Sequence, residues 1–254
     1  NVPYNIKYTS NFKENATLIL GSQGMFTSHS NDKSALNELI PNANSNDLGM
    51  YSLLQFSKNN FETQIGFRYD HRSIETEEDI LNKEFKKLNS SFGVVFSKKK
   101  HTIRGNFSSG FRPPHLSELL SDGVHHGTNR YEIGNTELDS EFANQFDLSY
   151  DYSSDHLKFN INPFINLFNN YIYVEPIDDI IEGYDVYIYS QAERAKTYGG
   201  EFFLHYHPHF AHKFHIEQNL SLVKGEDENN NSLPLIPQTR LNTNLRYDFE
   251  IRDN

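Results

Sequence analysis

A period of two recurs along almost the whole of this chain, and it limits what the chain can fold into more than any other feature. Phe61, Thr63, Ile65, Phe67 and Tyr69 alternate with Glu62, Gln64, Arg68 and Asp70. Phe142, Asn144, Phe146, Leu148, Tyr150 and Tyr152 alternate with Glu141, Ala143, Gln145, Asp147, Ser149 and Asp151. Such alternation is that of a β-strand with one apolar and one wet face. It returns at 88–96, 157–167, 214–222 and 241–249, so the pattern predicts about eleven strands. Tyr171 and Tyr173 are read as the end of one strand, in an aromatic girdle.

The connections between these strands alternate in length. Short turns are expected at Lys13-Glu14-Asn15, Lys58-Asn59-Asn60, Lys98-Lys99-Lys100, Ser153-Ser154-Asp155 and Pro208 to Ala211. Long ones are expected at Asn31 to Asp47, Glu75 to Lys86, the stretch after Ser108, Glu175 to Gly183, and Gly225 to Ser232. Short turns on one side and long loops on the other are the pattern of an antiparallel transmembrane β-barrel. A soluble sandwich also alternates along its strands, but it does not require this two-sided arrangement of loops.

Composition narrows the choice. Hydrophobic residues make up only 36% and mean hydropathy is −0.68, yet the chain carries 20 Phe and 15 Tyr. Strands that bury every second side chain in lipid have this balance, whereas a disordered chain lacks the aromatics. No apolar run reaches the length of a helical span. Without Cys there is no disulfide, thiolate site or cysteine nucleophile. A net charge of −11 argues against a nucleic-acid partner. The opening residues show no signal peptide, so any export signal is expected upstream.

Gly110-Phe111-Arg112-Pro113-Pro114, Glu118-Leu119, and Asn135-Thr136-Glu137-Leu138 with Glu141 resemble the FRxP, EL and N-x-x-L-x-x-E elements of TonB-dependent outer-membrane receptors. Leu233-Pro234-Leu235-Ile236-Pro237-Gln238-Thr239-Arg240 resembles that family's LPxxPxxR element, and Tyr198-Gly199-Gly200-Glu201 its G-x-E strand element. The resemblance implies a plug domain followed by a barrel of about twenty-two strands. Residues 1–254 are therefore expected to be an internal fragment: an all-β, partial barrel of about eleven strands, with the plug and the C-terminal strands absent. Half a barrel has two open edges, which lipid does not tolerate.

By the same resemblance, the function is active uptake of a scarce metal ion or metal chelate across a Gram-negative outer membrane. The energy would come from a TonB-type partner acting through the plug. The cargo would be zinc, a ferric siderophore or haem, and no resident cofactor is required. The loop Gly123-Val124-His125-His126-Gly127-Thr128-Asn129, through Tyr131-Glu132-Ile133-Gly134-Asn135, resembles that of a zinc-uptake branch, which makes His125 or His126 a metal ligand completed by plug residues. His115, Glu118, Asp122 and Arg112 are further candidate ligand-binding residues, because imidazole and carboxylate suit borderline divalent ions. Arg112 is also read as a partner for loop carboxylates.

His205, His207, His209, His212 and His215 crowd around a short turn and are read as solvated, with weak metal binding as the lesser alternative. Glu118, Glu137 and Glu141 sit in what reads as a mobile loop without partners at defined spacing. With no Gly-x-Ser-x-Gly element either, no catalytic role is expected. The rival functions are a passive porin or outer-membrane enzyme, and a secreted soluble all-β binding module.

Overall fold

The computed structural model describes residues 1–12, 14–32, 38–77 and 80–249. Its wall begins with β1 (Val2–Asn11), β2 (Ala16–His29), β3 (Ala43–Lys58), β4 (Phe61–Thr76), β5 (Asn82–Lys98) and β6 (His101–Arg112). The chain then detours through a short helix α1 (Leu116–Leu120) and a small hairpin, β7 (Asp122–His125) and β8 (Arg130–Ile133). The wall resumes with β9 (Glu141–Ser153), β10 (Leu157–Ile181), β11 (Tyr184–Tyr206), β12 (Phe214–Asp227) and β13 (Arg240–Tyr247). Each wall strand pairs antiparallel with the next, β6 with β9, so eleven strands make one open sheet with β1 and β13 at its edges.

Register turns the period of two into two faces. Pairing links Leu18, Leu54, Ile65, Phe92, Phe107, Phe146, Ile165 and Tyr198 in one row across eight strands. Thr17, Gln55, Gln64, Gly93, Asn106 and Asp147 form the corresponding row on the other face. The apolar row is not packed under a second protein layer: Phe67 is 52% exposed and Phe146 45%. A soluble sandwich would bury these side chains, and lipid is the solvent that suits them. The polar face pairs its own charges. Arg68 donates to Asp70 at 2.6 Å, Asn89 to the same carboxylate at 2.9 Å, and Arg72 forks onto Asp47.

The apolar band stops where charge appears on its own face. His71 lies opposite Lys86, and Lys86 pairs with Glu84, just beyond Tyr69 and Leu88. At the short-turn end Tyr150, Tyr152 and Phe159 pack ring to ring at 5.5–5.6 Å, a cluster suited to a membrane interface.

The strands run further than the sequence predicts. β3 begins at Ala43 and β5 at Asn82, inside stretches expected to be loop; residues 33–37, 78 and 79 of those stretches lie outside the described residues. The largest difference is at Glu175 to Gly183. β10 passes Tyr171 and Tyr173, shifts register between Pro176 and Ile180, and turns only at Glu182-Gly183, both at positive φ. The proline and the charges broke the alternation in sequence. However, Ile180, Ile181, Tyr184 and Val186 are strand-forming residues, and a two-residue turn with Gly joins them. Beyond Asn169 and Arg194 this hairpin outruns both its neighbours, by about 35 Å at the rise of an extended strand.

Candidate functional site

The long-loop end is built where β6 leaves β5. Their ladder stops at Ser91 and Ser108, and the Ser109 hydroxyl then accepts the Ser90 N–H at 2.8 Å in place of a backbone partner. Into the space on the inner side pack Leu119 of α1 and Leu138, against Ile74, Leu81, Phe85 and Ile172. Leu138 is fully buried. The detour after Arg112 is thus a small core lodged in the mouth of the wall. It is not the mobile loop that its polar composition suggests.

The backbone of this core is tied to the end of the helix. Gly134 N–H donates to Ser121 O at 2.7 Å and Asn135 N–H to Glu118 O at 2.8 Å, satisfying carbonyls that a helix end leaves open. A Cβ on Gly134 would lie 2.6 Å from the backbone of Leu119 and Leu120, so only glycine fits. Lys83 reaches across from β5 to the carbonyls of Thr136 and Leu138.

Arg112 is the charged centre of the arrangement. Its guanidinium donates to both carboxylate oxygens of Glu118, at 3.0 and 2.9 Å, and to Glu141 at 3.2 Å. Glu118 also accepts the His115 N–H at 2.8 Å, and Glu141 the Ile172 N–H at 3.1 Å. One fork therefore joins β6, α1, β9 and β10. The sequence expectation that Arg112 pairs with loop carboxylates holds. The expectation that Glu118 and Glu141 lack defined partners is overturned, because the partners sit 6 and 29 residues away and no local period reveals them.

The hairpin β7–β8 lies on the overhanging part of β11, with Tyr131, Glu132 and Ile133 pairing parallel with Val186, Tyr187 and Ile188. Glu132 is only 2% exposed, yet its charge is matched. Arg130 donates at 2.7 Å and the Tyr189 hydroxyl at 2.9 Å, while the Arg130 guanidinium stacks 4.6 Å from the Tyr187 ring. Sequence reading passed over Arg130, Glu132 and Tyr189; the one signal was a glutamate flanked by Tyr131 and Ile133 in a short strand-like run.

The remaining candidates are spread out. His115 and Asp122 are exposed. Asp122 accepts the Tyr131 hydroxyl at 2.8 Å, a bond that, with burial, raises the phenol above its ordinary pKa. His125 and exposed His126 are at the hairpin tip. The Thr128 N–H and hydroxyl both meet His125 Nδ1, at 3.2 and 3.0 Å. The same N–H also donates to the His125 carbonyl at 3.1 Å, so the Nδ1 edge of the ring is tied into the hairpin turn. Among the described residues neither histidine belongs to a group of three metal-type donors. The group that exists is His205, His207 and His215, at the opposite end of the wall. Around them His156, His209 and His212 pack ring to ring, and burial together with the nearby imidazoles of His156, His215, His205 and His212 lowers the His207 pKa.

Comparison with known proteins agrees with the architecture. The family described as "TonB dependent receptor-like, beta-barrel" matches residues 3–253. The chain belongs to that family. Solved structures of similar fold include the copper transporter OprC, with a TM-score of 0.79 at 15% identity over 97% of this chain and 40% of that one. The FrpB iron transporter from Neisseria meningitidis gives 0.69 at 17% identity, again covering 97% and 40%. A ferric enterobactin receptor (PfeA) mutant from Pseudomonas aeruginosa gives 0.67 at 18%, covering 96% and 38%. This TonB-dependent receptor segment therefore spans about 40% of the length of the structures it matches.

Membership gives the wall its setting, since barrels of this family lie in the outer membrane with short turns periplasmic and long loops outside. The motif residues also acquire a physical meaning. The Arg of FRxP, the Glu of EL and the Glu of N-x-x-L-x-x-E are the three members of the Arg112 fork. Gly199 of the G-x-E element lies where an added Cβ would meet Leu222 O at 2.0 Å. The LPxxPxxR element leads into β13, which begins at Arg240.

Proposed function

We propose that this segment forms part of the wall and extracellular face of an active uptake receptor for a metal ion or metal chelate, in the outer membrane of a Gram-negative cell. A TonB-type partner would supply the energy through a plug inside the wall. The observation that carries the reading is the hairpin tip. It is an ordered, outward-standing group of polar side chains, pinned to β11 by Glu132 and to the wall by Arg112, over a charged inner face.

Among cargos, the tip favours an anionic chelate over bare zinc. With its Nδ1 edge engaged by Thr128, His125 has Nε2 left as a hydrogen-bond donor to an anionic oxygen in this reading. His126 is exposed beside it at the tip, while Asp122, paired with Ile133, lies at the open end of the hairpin and His115 at the start of α1.

Cells making the intact receptor as their sole route for a ferric chelate should accumulate it saturably, and an uncoupler of the inner membrane should stop accumulation. His125→Ala should raise the half-saturating chelate concentration about tenfold, the effect of one lost hydrogen bond to a charged group. Uptake that ignores the uncoupler and never saturates would make the wall a passive pore. A tip substitution that impairs zinc uptake alone would restore zinc ligation at His125 and His126.

A further inference from the structure

The inner face at the short-turn end carries a second polar assembly, unrelated to the loop. His205 and His207 lie two residues apart and so share a face, and the tight connection between β11 and β12 brings His215 beside them. The three rings form a near-equilateral triangle, with centroid separations of 5.6, 5.3 and 5.3 Å. One nitrogen from each lies within 4.8 Å of the others. His205 Nε2 and His215 Nδ1 are already 3.1 Å apart.

Two further observations separate this cluster from a solvated patch. The far nitrogen of His215, Nε2, faces Asp248 Oδ2 at 3.2 Å, and Arg246 holds that carboxylate from the other side at 3.1 Å. The His215 side chain is only 11% exposed. A carboxylate behind an imidazole keeps the proton on the far nitrogen and turns the near lone pair to the front, as the supporting groups of metal-bound histidines do. In addition, the Nδ1 atoms of His207 and His156 are shielded from solvent and meet no hydrogen-bond partner among the described residues. Six other buried side-chain atoms of the described residues share that condition, but these two belong to rings whose centroids are 4.9 Å apart.

We propose that His205, His207 and His215 form a binding site for a divalent ion of the zinc class. Asp248 is the positioning residue that orients His215. Three neutral imidazoles suit Zn2+, Co2+ or Cu2+, whereas Mg2+ and Ca2+ need oxygen donors. Nitrogens about 2.0–2.1 Å from a tetrahedral zinc are about 3.4 Å from one another. The His205–His215 pair, at 3.1 Å, is close to that spacing, and His207 would close on it by a rotamer change. The site requires neither a cargo nor the proposed uptake, and it stands at the opposite end of the wall from the loop.

The test is metal titration of the intact receptor in detergent, with Zn2+ by calorimetry and Co2+ by its visible absorption. Wild type should take up an ion that His207→Gln and His205→Gln both lose, with the tetrahedral Co2+ spectrum disappearing. His125→Ala and His126→Ala should retain it. Asp248→Asn should weaken binding about tenfold while keeping one equivalent. Heat-modifiable migration on gels checks that each variant is a folded barrel, and the asparagine variant separates ligation from folding if a glutamine variant fails. Equal Zn2+ and Co2+ uptake by wild type and the two glutamine variants would overturn the site, as would a wild type that binds neither ion.

Discussion

The two ends of the wall solve opposite problems with the same kinds of residue. At the loop end, segments up to 57 residues apart in sequence are brought together, and the charges of the Arg112 fork and of Glu132 meet partners on other elements. At the short-turn end, the polar groups come mostly from one hairpin and its neighbours, and within the histidine cluster two imidazole nitrogens remain unmatched among the described residues, unlike the side chains of the Arg112 fork and Glu132. A satisfied buried network makes the structure rigid and specific, while an unsatisfied one has donors to spare. The contrast separates a polar cluster that holds the fold from one equipped to hold a ligand.

Removing the central cation should break the comparison most strongly. Arg112→Met leaves Glu118 and Glu141 facing each other, and should cost about 2–4 kcal/mol. That reaches below the range of about 3–5 kcal/mol for breaking a buried pair, because Arg112 is 35% exposed. Protease cleavage within residues 113–140 of the intact receptor, unchanged from wild type, would show that the fork is dispensable. Tyr189→Phe removes one donor from Glu132 and should lower stability by about 1–3 kcal/mol, read as a shift in the denaturant midpoint.

At the other end, the same kind of polar-to-apolar change should have nearly the opposite result. His207→Phe, in metal-free buffer, should be neutral or stabilising by up to about 1 kcal/mol, since it deletes an unmatched nitrogen. A loss as large as that of Tyr189→Phe would erase the distinction between the ends. The smallest effect is expected at the hairpin surface. The Tyr131 phenol is held above its ordinary pKa, so its bond to Asp122 persists below about pH 10 and is lost as pH rises through the raised value. Asp122→Asn should bring the phenolate absorbance of Tyr131 to lower pH, with a stability change within about 0.5 kcal/mol.

How far this was legible in sequence depends on the range of the interactions involved. The wall was legible because alternation is local: Phe61 to Asp70 displays both faces of β4 directly. The overhang of β10 and β11 was not, since Pro176 interrupts the period and the turn signal is a single Glu-Gly pair between isoleucines and Tyr184. α1 has five residues, too few for a helical period to register. The Arg112 fork could be expected only in kind, because its geometry depends on strands closing over 29 residues. For the turn histidines, sequence supplied the crowding but not the register that turns His205, His207 and His215 to one side, nor the Asp248 carboxylate behind them.

The parallel pairing of β8 with β11 fixes what kind of motion the outer surface can make. The strip carrying His125 and His126 is zipped to the overhanging hairpin by backbone hydrogen bonds and the buried Glu132, so the two form one lever. A load on the tip is therefore shared by β10 and β11, whose root above Asn169 is held by the Glu141–Ile172 hydrogen bond and by the packing of Ile172 in the small core.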